Sequence, residues 1–261
     1  MGFWTRGAFF ERVSAQDEQR SRLSGARIDV SSFATVAILA HIEIPAELQR
    51  NAPKVLAAGV EHTGEVLLRN LADRIGRADL VGLDLLDLGC GVRFAQTLIN
   101  RALPFNSYTG IDVDRPLVEW LINNVEAQDA RFRFAHWDVH NAMYNRGGVA
   151  MQEHAALPVA GDYDVITGYS LFTHLAPDGA RHLLRLARKA VRASGWLLFS
   201  AFTDEAVNQF EDRVAGQPLL QAYYHPGYLR EMLAETGWEE VSFRTRGEYI
   251  QSSFLCRPAP R

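Results

Sequence analysis

Two spacings of apolar residues alternate along the chain. From Thr63 to Ile75 the apolar positions Val66, Leu67, Leu68, Leu71 and Ile75 follow the 3.6-residue period of a helix with one buried face. Leu83, Leu85, Leu86 and Leu88 then form a short continuous run, the pattern of a buried strand, and Phe94, Leu98 and Ile99 return to helical spacing. The alternation recurs. Strands are expected at Tyr108–Asp112, Phe132–Trp137, Tyr163–Gly168 and Trp196–Phe202, with helices at Leu117–Ala127 and His182–Val191, the second stopped by Gly195. A last helix, Pro226–Thr236, stops at Gly237, and Trp238–Arg246 and Tyr249–Arg257 read as two strands around Gly247. Strands alternating with helices predict an α/β fold, a mostly parallel sheet with helices on both faces, here closed by an antiparallel hairpin.

The pattern weakens at two places. Residues 1–60 open on Phe3, Trp4, Phe9 and Phe10 and a charged segment, and read as a helical N-terminal extension or lid on a main domain of residues 61–261. Thr203 to Tyr224 is polar and aromatic by turns, too irregular for a core element, and is the natural place for an acceptor-specific insert.

Composition narrows the classes. Of 261 residues 48% are hydrophobic and 22% charged, values that suit a globular core. A net charge of −4 and a pI near 6.1 give no electrostatic footprint for nucleic acid. Lysine occurs only at Lys54 and Lys189, so Schiff-base chemistry has few candidates. Two cysteines, Cys90 and Cys256, make neither a disulfide framework nor a zinc-ligand spacing, so no metal is expected. The apolar stretch Phe33–Ala40 is too short to span a bilayer, and the charges before it are of both signs. These features suggest a soluble cytoplasmic protein without membrane partners.

The chemistry concentrates in LLDLGCGVRF, residues 85–94. A strand carrying Asp87 runs into Gly89, Cys90 and Gly91 and then into a helix, a turn whose backbone can approach a ligand without a Cβ in the way. Asp112 closes the next strand, near the roughly 20-residue separation at which nucleotide-binding βαβ units place a carboxylate for ribose hydroxyls. Asp114, with Pro116 behind it, has the setting of a helix N-cap.

The hDhGCG strand-turn, with its acid inside the strand, resembles the first motif of class I S-adenosylmethionine-dependent methyltransferases. The strand YDVITG followed by YSLFTHL resembles the fourth-strand motif of the members that act on small molecules. The resemblance runs from about residue 62 to the end. It implies a Rossmann-like seven-stranded sheet, S-adenosylmethionine as cofactor, and methyl transfer to a small-molecule acceptor, with oxygen the expected atom. Cofactor-binding positions carried over are Asp87, Gly89, Cys90, Gly91, Asp112, Val113, Trp137, Asp138, Val139, Tyr169 and Ser170. Asp138 would meet the adenine amino group, Trp137 and Val139 would supply an apolar face, and Tyr169 and Ser170 would lie near the methionine part. His174 is the first candidate base and His140 the second; a packing histidine and a loop histidine are the plainer readings. The chain departs from the GCGxG pattern, since Val92 and Arg93 follow Gly91. Either Arg93 replaces the third glycine or the loop is one residue shorter; its side chain would then pair with the methionine carboxylate or turn into solvent or a surface ion pair, and the second is expected. That departure motivates the rival expectation, a non-catalytic scaffold on the same fold.

Overall fold

The computed structural model describes residues 38–245 and 251–260. In chain order the elements are α1 (Pro53–Ala58), α2 (Val60–Arg74), β1 (Asp84–Leu88), α3 (Arg93–Asn100), β2 (Ser107–Asp112), α4 (Arg115–Leu121) and β3 (Phe132–His136). Then come β4 (Tyr163–Gly168), α5 (Pro177–Ala190), β5 (Val191–Thr203), β6 (Phe210–Asp212), β7 (Ala222–Tyr224), α6 (Pro226–Glu235), β8 (Trp238–Arg244) and β9 (Ser252–Pro258).

Strands β3, β2, β1, β4 and β5 lie side by side and parallel, β9 runs antiparallel to β5, and β8 antiparallel to β9. This is the expected seven-stranded arrangement with its terminal hairpin. Strand β1 has β2 on one side and β4 on the other, so chain order reverses there and the carboxyl ends of β1 and β4 open a crevice. Alternation along each strand feeds two cores. Leu86, Leu88 and Phe199 pack with Leu183 and Leu184 of α5 and Leu229 and Met232 of α6. Leu85 and Leu198 face the other way, onto Leu68 and Leu71 of α2, Phe94 and Leu98 of α3, and Leu117 of α4.

Two expectations change, and the described part of the 1–60 extension packs into the core: Ile42, Ile44 and Leu48 are buried with α2 and α3. Asn100 fixes this strap by accepting from the Ile42 N–H at 2.8 Å and donating to the Ile42 carbonyl at 2.9 Å. Among the described residues before α1, it carries one helical turn, a short 3-10 segment at Ala46–Leu48. The aromatics at Phe3, Trp4, Phe9 and Phe10 lie outside the described residues.

Gly195 does not stop a helix. The helix ends at Ala190, and Gly195 sits inside β5 near an irregularity in its pairing with β4, where an added Cβ would lie 2.9 Å from the Asp164 carbonyl. Thr203–Tyr224, in turn, holds real strands. Strand β7 pairs with the carboxyl end of β5 and β6 pairs with β7, burying Ala222 and Tyr224. Strands three residues long are too short to show a period, which is why the sequence pattern conceals them.

Candidate active site

The carboxyl ends of β1, β2, β4 and β5 open into one cleft of about 920 Å³, roofed in part by the strap at Arg50–Asn51 and walled on one side by α2. Its floor is the turn after β1. Gly89 and Gly91 have φ of +65° and +49°, conformations that favour glycine, and the space where Gly91 would carry a Cβ is open. Strand β2 ties the turn down. The N–H groups of Gly89 and Cys90 donate to the Ile111 carbonyl at 2.9 and 3.0 Å, and the Gly91 N–H donates to Asp112 Oδ2 at 2.9 Å. Cys90 packs against Gly110 of β2, where any side chain would meet its sulfur at 2.8 Å, and burial pushes its thiol pKa up.

Asp87 is almost fully buried. Tyr108 Oη donates to it at 2.8 Å and Thr167 Oγ1 at 2.6 Å, yet burial dominates and raises its pKa to about 7. Asp112 accepts from Gly91 on one oxygen and from the Asp114 N–H, 3.0 Å away, on the other; burial raises its pKa as well. Each of its oxygens keeps a lone pair for a second donor.

Arg93 begins α3 and lies in the cleft wall, not in solvent. Its Nε donates to Asn51 Oδ1 at 3.0 Å, and no carboxylate forms an ion pair with it among the described residues. Burial lowers its pKa, while the charge of Asp87 acts the other way. Where a third glycine would stand, Arg93 is the first helical residue. The close helix packing that such a glycine allows occurs instead at Gly64 of α2, where a Cβ would sit 2.1 Å from Thr97 Oγ1 and 3.3 Å from Arg93 Cγ.

Trp137 and Val139 line the cleft; Asp138 does not. Its side chain is exposed and accepts from Asn145 Nδ2 at 3.0 Å, outside the cleft wall where the adenine contact was expected. Trp137 Nε1 is buried in the wall with no hydrogen-bond partner among the described residues. Val113 joins the wall beside Asp112. Asp114 is corrected too: it makes no side-chain cap and instead accepts from Arg50 Nε at 2.8 Å and Nη2 at 2.6 Å.

At the end of β4, Tyr169 and Ser170 both face the cleft, Tyr169 edge-on to Phe94 at 5.4 Å between centroids. Ser170 is held at φ +60° by its N–H, which donates to Ser200 Oγ at 2.8 Å. His174 follows in a short 3-10 turn, half-buried in the wall, with Nδ1 3.0 Å from the Leu219 carbonyl. A carbonyl only accepts, so Nδ1 carries the proton and Nε2 presents its lone pair. Burial lowers the pKa of the ring, which keeps it neutral. His140 stands exposed at the rim, its backbone N–H donating to the Val149 carbonyl.

Sequence reasoning missed the groups that orient these residues: Tyr108 and Thr167 on Asp87, Leu219 on His174, and Ser200 on Ser170. It also missed Arg74, although Thr63, Leu67, Asn70 and Arg74 recur at helical spacing on one face of α2, a signal the apolar stripe overshadowed. Among the described residues no group of three or more potential ligands could hold a metal ion, and no helix is long and apolar enough to cross a membrane.

This fold and site define a class. Similar solved structures include magnesium protoporphyrin IX methyltransferase from Synechocystis with S-adenosylmethionine bound, 15% identical over 85% of this chain and 88% of that one, TM-score 0.51. The 1,6-didemethyltoxoflavin-N1-methyltransferase of Burkholderia thailandensis is 16% identical over 90% and 99%, TM-score 0.52. The mitomycin 7-O-methyltransferase MmcR is 17% identical over 82% and 60%, TM-score 0.50. At such identities the likeness establishes the fold, that of class I methyltransferases. Residues 59–242, more than half the chain, match the family model described as a methyltransferase domain. The chain belongs to the methyltransferase domain family.

Proposed function

We propose that the protein transfers a methyl group from S-adenosylmethionine to a proton-bearing oxygen of a small-molecule acceptor, with His174 taking the proton. The observation that carries this reading is the Nδ1 contact of His174 with the Leu219 carbonyl, which leaves a neutral ring with a free Nε2 lone pair inside the cleft. A hydroxyl must lose its proton to become a good nucleophile, whereas a neutral amine already has its lone pair. A buried neutral imidazole therefore favours oxygen. The solved structures of similar fold act, by their descriptions, at oxygen or at nitrogen, so the atom is argued from His174 alone.

The cleft fits the cofactor on its own chemistry. Asp87 is a carboxylate with a pKa near neutrality that gains from a nearby ammonium; Arg93 is a desolvated cation without an acid, suited to the methionine carboxylate. The free lone pairs of Asp112 suit a vicinal diol, and Trp137 and Val139 give an apolar flank for a purine. Val113, Tyr169 and Ser170 complete the wall. When bound, S-adenosylmethionine supplies an electrophilic methyl on a sulfonium. The protein holds the acceptor in line with that methyl, and such orientation is worth on the order of 7 to 11 kcal/mol of barrier. His174 removes the acceptor proton through Nε2, a contribution of roughly 100- to 10,000-fold.

The test starts from acceptor discovery. The protein is incubated with trideuteromethyl-labelled S-adenosylmethionine and a metabolite extract, and products carrying the label are located by mass spectrometry. With the acceptor in hand, His174→Ala should lower kcat by roughly 100- to 10,000-fold with S-adenosylmethionine affinity retained. A full rate in that variant, or a label found on nitrogen, would overturn the oxygen reading.

A further inference from the structure

On the side of the cleft away from the glycine turn, α2 meets the terminal hairpin, and the polar groups there share one character. Arg74 of α2 donates from Nη1 to Ser253 Oγ at 2.8 Å, and from Nη2 to the Ser242 carbonyl and Ser242 Oγ, both at 2.9 Å. Its Nε is buried with no partner among the described residues. Arg244 of β8 donates to Asn70 Oδ1 at 2.7 Å, and Asn70 lies one turn before Arg74 on the same helix. Neither arginine forms an ion pair with a carboxylate among the described residues, although Arg257 of β9 pairs with Glu239 across the same hairpin and Arg230 of α6 pairs with Glu240 of β8.

The neutral groups beside them are donors as well. Ser253 Oγ accepts from Arg74 and donates to no group among the described residues. Gln251 is fixed in orientation: its Oε1 accepts from Ser200 Oγ at 2.6 Å, and its Nε2 donates to Ser170 Oγ at 2.8 Å, which leaves the second Nε2 hydrogen unused. Gln251, Ser253 and Arg74 all line the cleft. Arg74 is a half-buried cation with donors around it and no acid partner among the described residues, a costly setting that an anion would relieve. Burial and the charge of Arg244 both lower the pKa of Arg74, which is the signature of that cost.

We infer that this corner is an acceptor subsite that seats a carboxylate, and that the methyl acceptor is a hydroxy acid held by Arg74, Ser253 and Gln251 while its hydroxyl is presented to His174. The inference rests on the methyltransferase reading for the identity of the cleft. The choice of anchor follows from the corner itself: Arg93 is assigned to the cofactor carboxylate, and of the cations that line the cleft and have no acid partner among the described residues, Lys54 and Arg74, only Arg74 lies beside Ser253 and Gln251.

The test uses the full chain with S-adenosylhomocysteine present and a set of fragment-sized carboxylates, each paired with its primary amide, read by ligand-detected NMR and calorimetry. Carboxylates should bind at least about 10-fold more tightly than their amides, and Arg74→Gln should cost them about 10- to 150-fold while the amides are unaffected. Gln251→Glu, which places a negative charge in the corner without removing the α2 contacts, should abolish carboxylate binding and serves if Arg74→Gln fails to fold by circular dichroism. Equal binding of acids and amides, absence of any carboxylate binding, or carboxylate binding that survives both substitutions would overturn the inference. Failure of S-adenosylhomocysteine to bind the unaltered protein would instead overturn the methyltransferase reading, and the acid-to-amide ratio would then be read on the chain alone.

Discussion

Asp87 makes cofactor binding and stability depend on pH in opposite directions. An ordinary aspartate titrates near 3.9, whereas burial raises Asp87 to about 7. Between those values the folded chain holds a proton that the unfolded chain has released. The contribution of Asp87 to the stability of the cofactor-free protein should therefore be unpenalised below about pH 4 and fall as pH rises toward 7, by about 1.4 kcal/mol per unit and about 4 kcal/mol in all. Cofactor binding reverses the preference, because an ammonium beside Asp87 favours the ionised form. If binding requires that form, affinity for S-adenosylhomocysteine should be about 30-fold weaker at pH 5.5 than its limit above pH 8, since only one Asp87 in about 30 is ionised at the lower pH. Calorimetry at the two pH values, with thermal melts alongside, measures both effects. Asp87→Asn supplies the control: it should melt higher than the unaltered protein at pH 8 without cofactor, bind more weakly, and lose the part of each pH dependence that Asp87 contributes. Equal affinity at pH 5.5 and 8, or an Asn variant that keeps the same pH profile, would refute the argument.

Arg93→Ala should weaken S-adenosylhomocysteine by about 10- to 150-fold by calorimetry, the worth of a charged hydrogen bond or two; a silent change would return Arg93 to a purely structural role with Asn51. Asp112→Ala should weaken binding by a similar factor and also free the Gly91 N–H, so faster amide exchange across the glycine turn is expected even without cofactor. Gly64→Ala should destabilise the fold by about 1 to 3 kcal/mol in urea titration, since its Cβ would meet Thr97 Oγ1 at 2.1 Å. Adding Thr97→Ala should recover part of that loss, because the closest clash is with the hydroxyl.

The sequence by itself determined the sheet, its flanking helices and the place of the glycine turn, because those follow from local periodicity and from glycine at positions with positive φ. Leu85 and Leu86 had to face opposite cores once β1 was a buried strand, and the topology brought Asp87 and Asp112 to one crevice without further information. Which side chains enter the cleft was decided only in three dimensions. Asp138 and Trp137 are neighbours in sequence just past β3, yet one side chain reaches Asn145 and the other enters the wall. Arg93 was expected in solvent; the strap carrying Asn51, more than 40 positions earlier, draws it into the cleft. The tautomer of His174 depends on the carbonyl of Leu219, and the orientation of Gln251 on Ser200 and Ser170, partners separated by |i−j| of 45, 51 and 81. Periodicity reports only what a residue's own helix or strand does with it. Contacts made across such separations leave no trace in spacing, so the chemistry of the cleft had to await the fold.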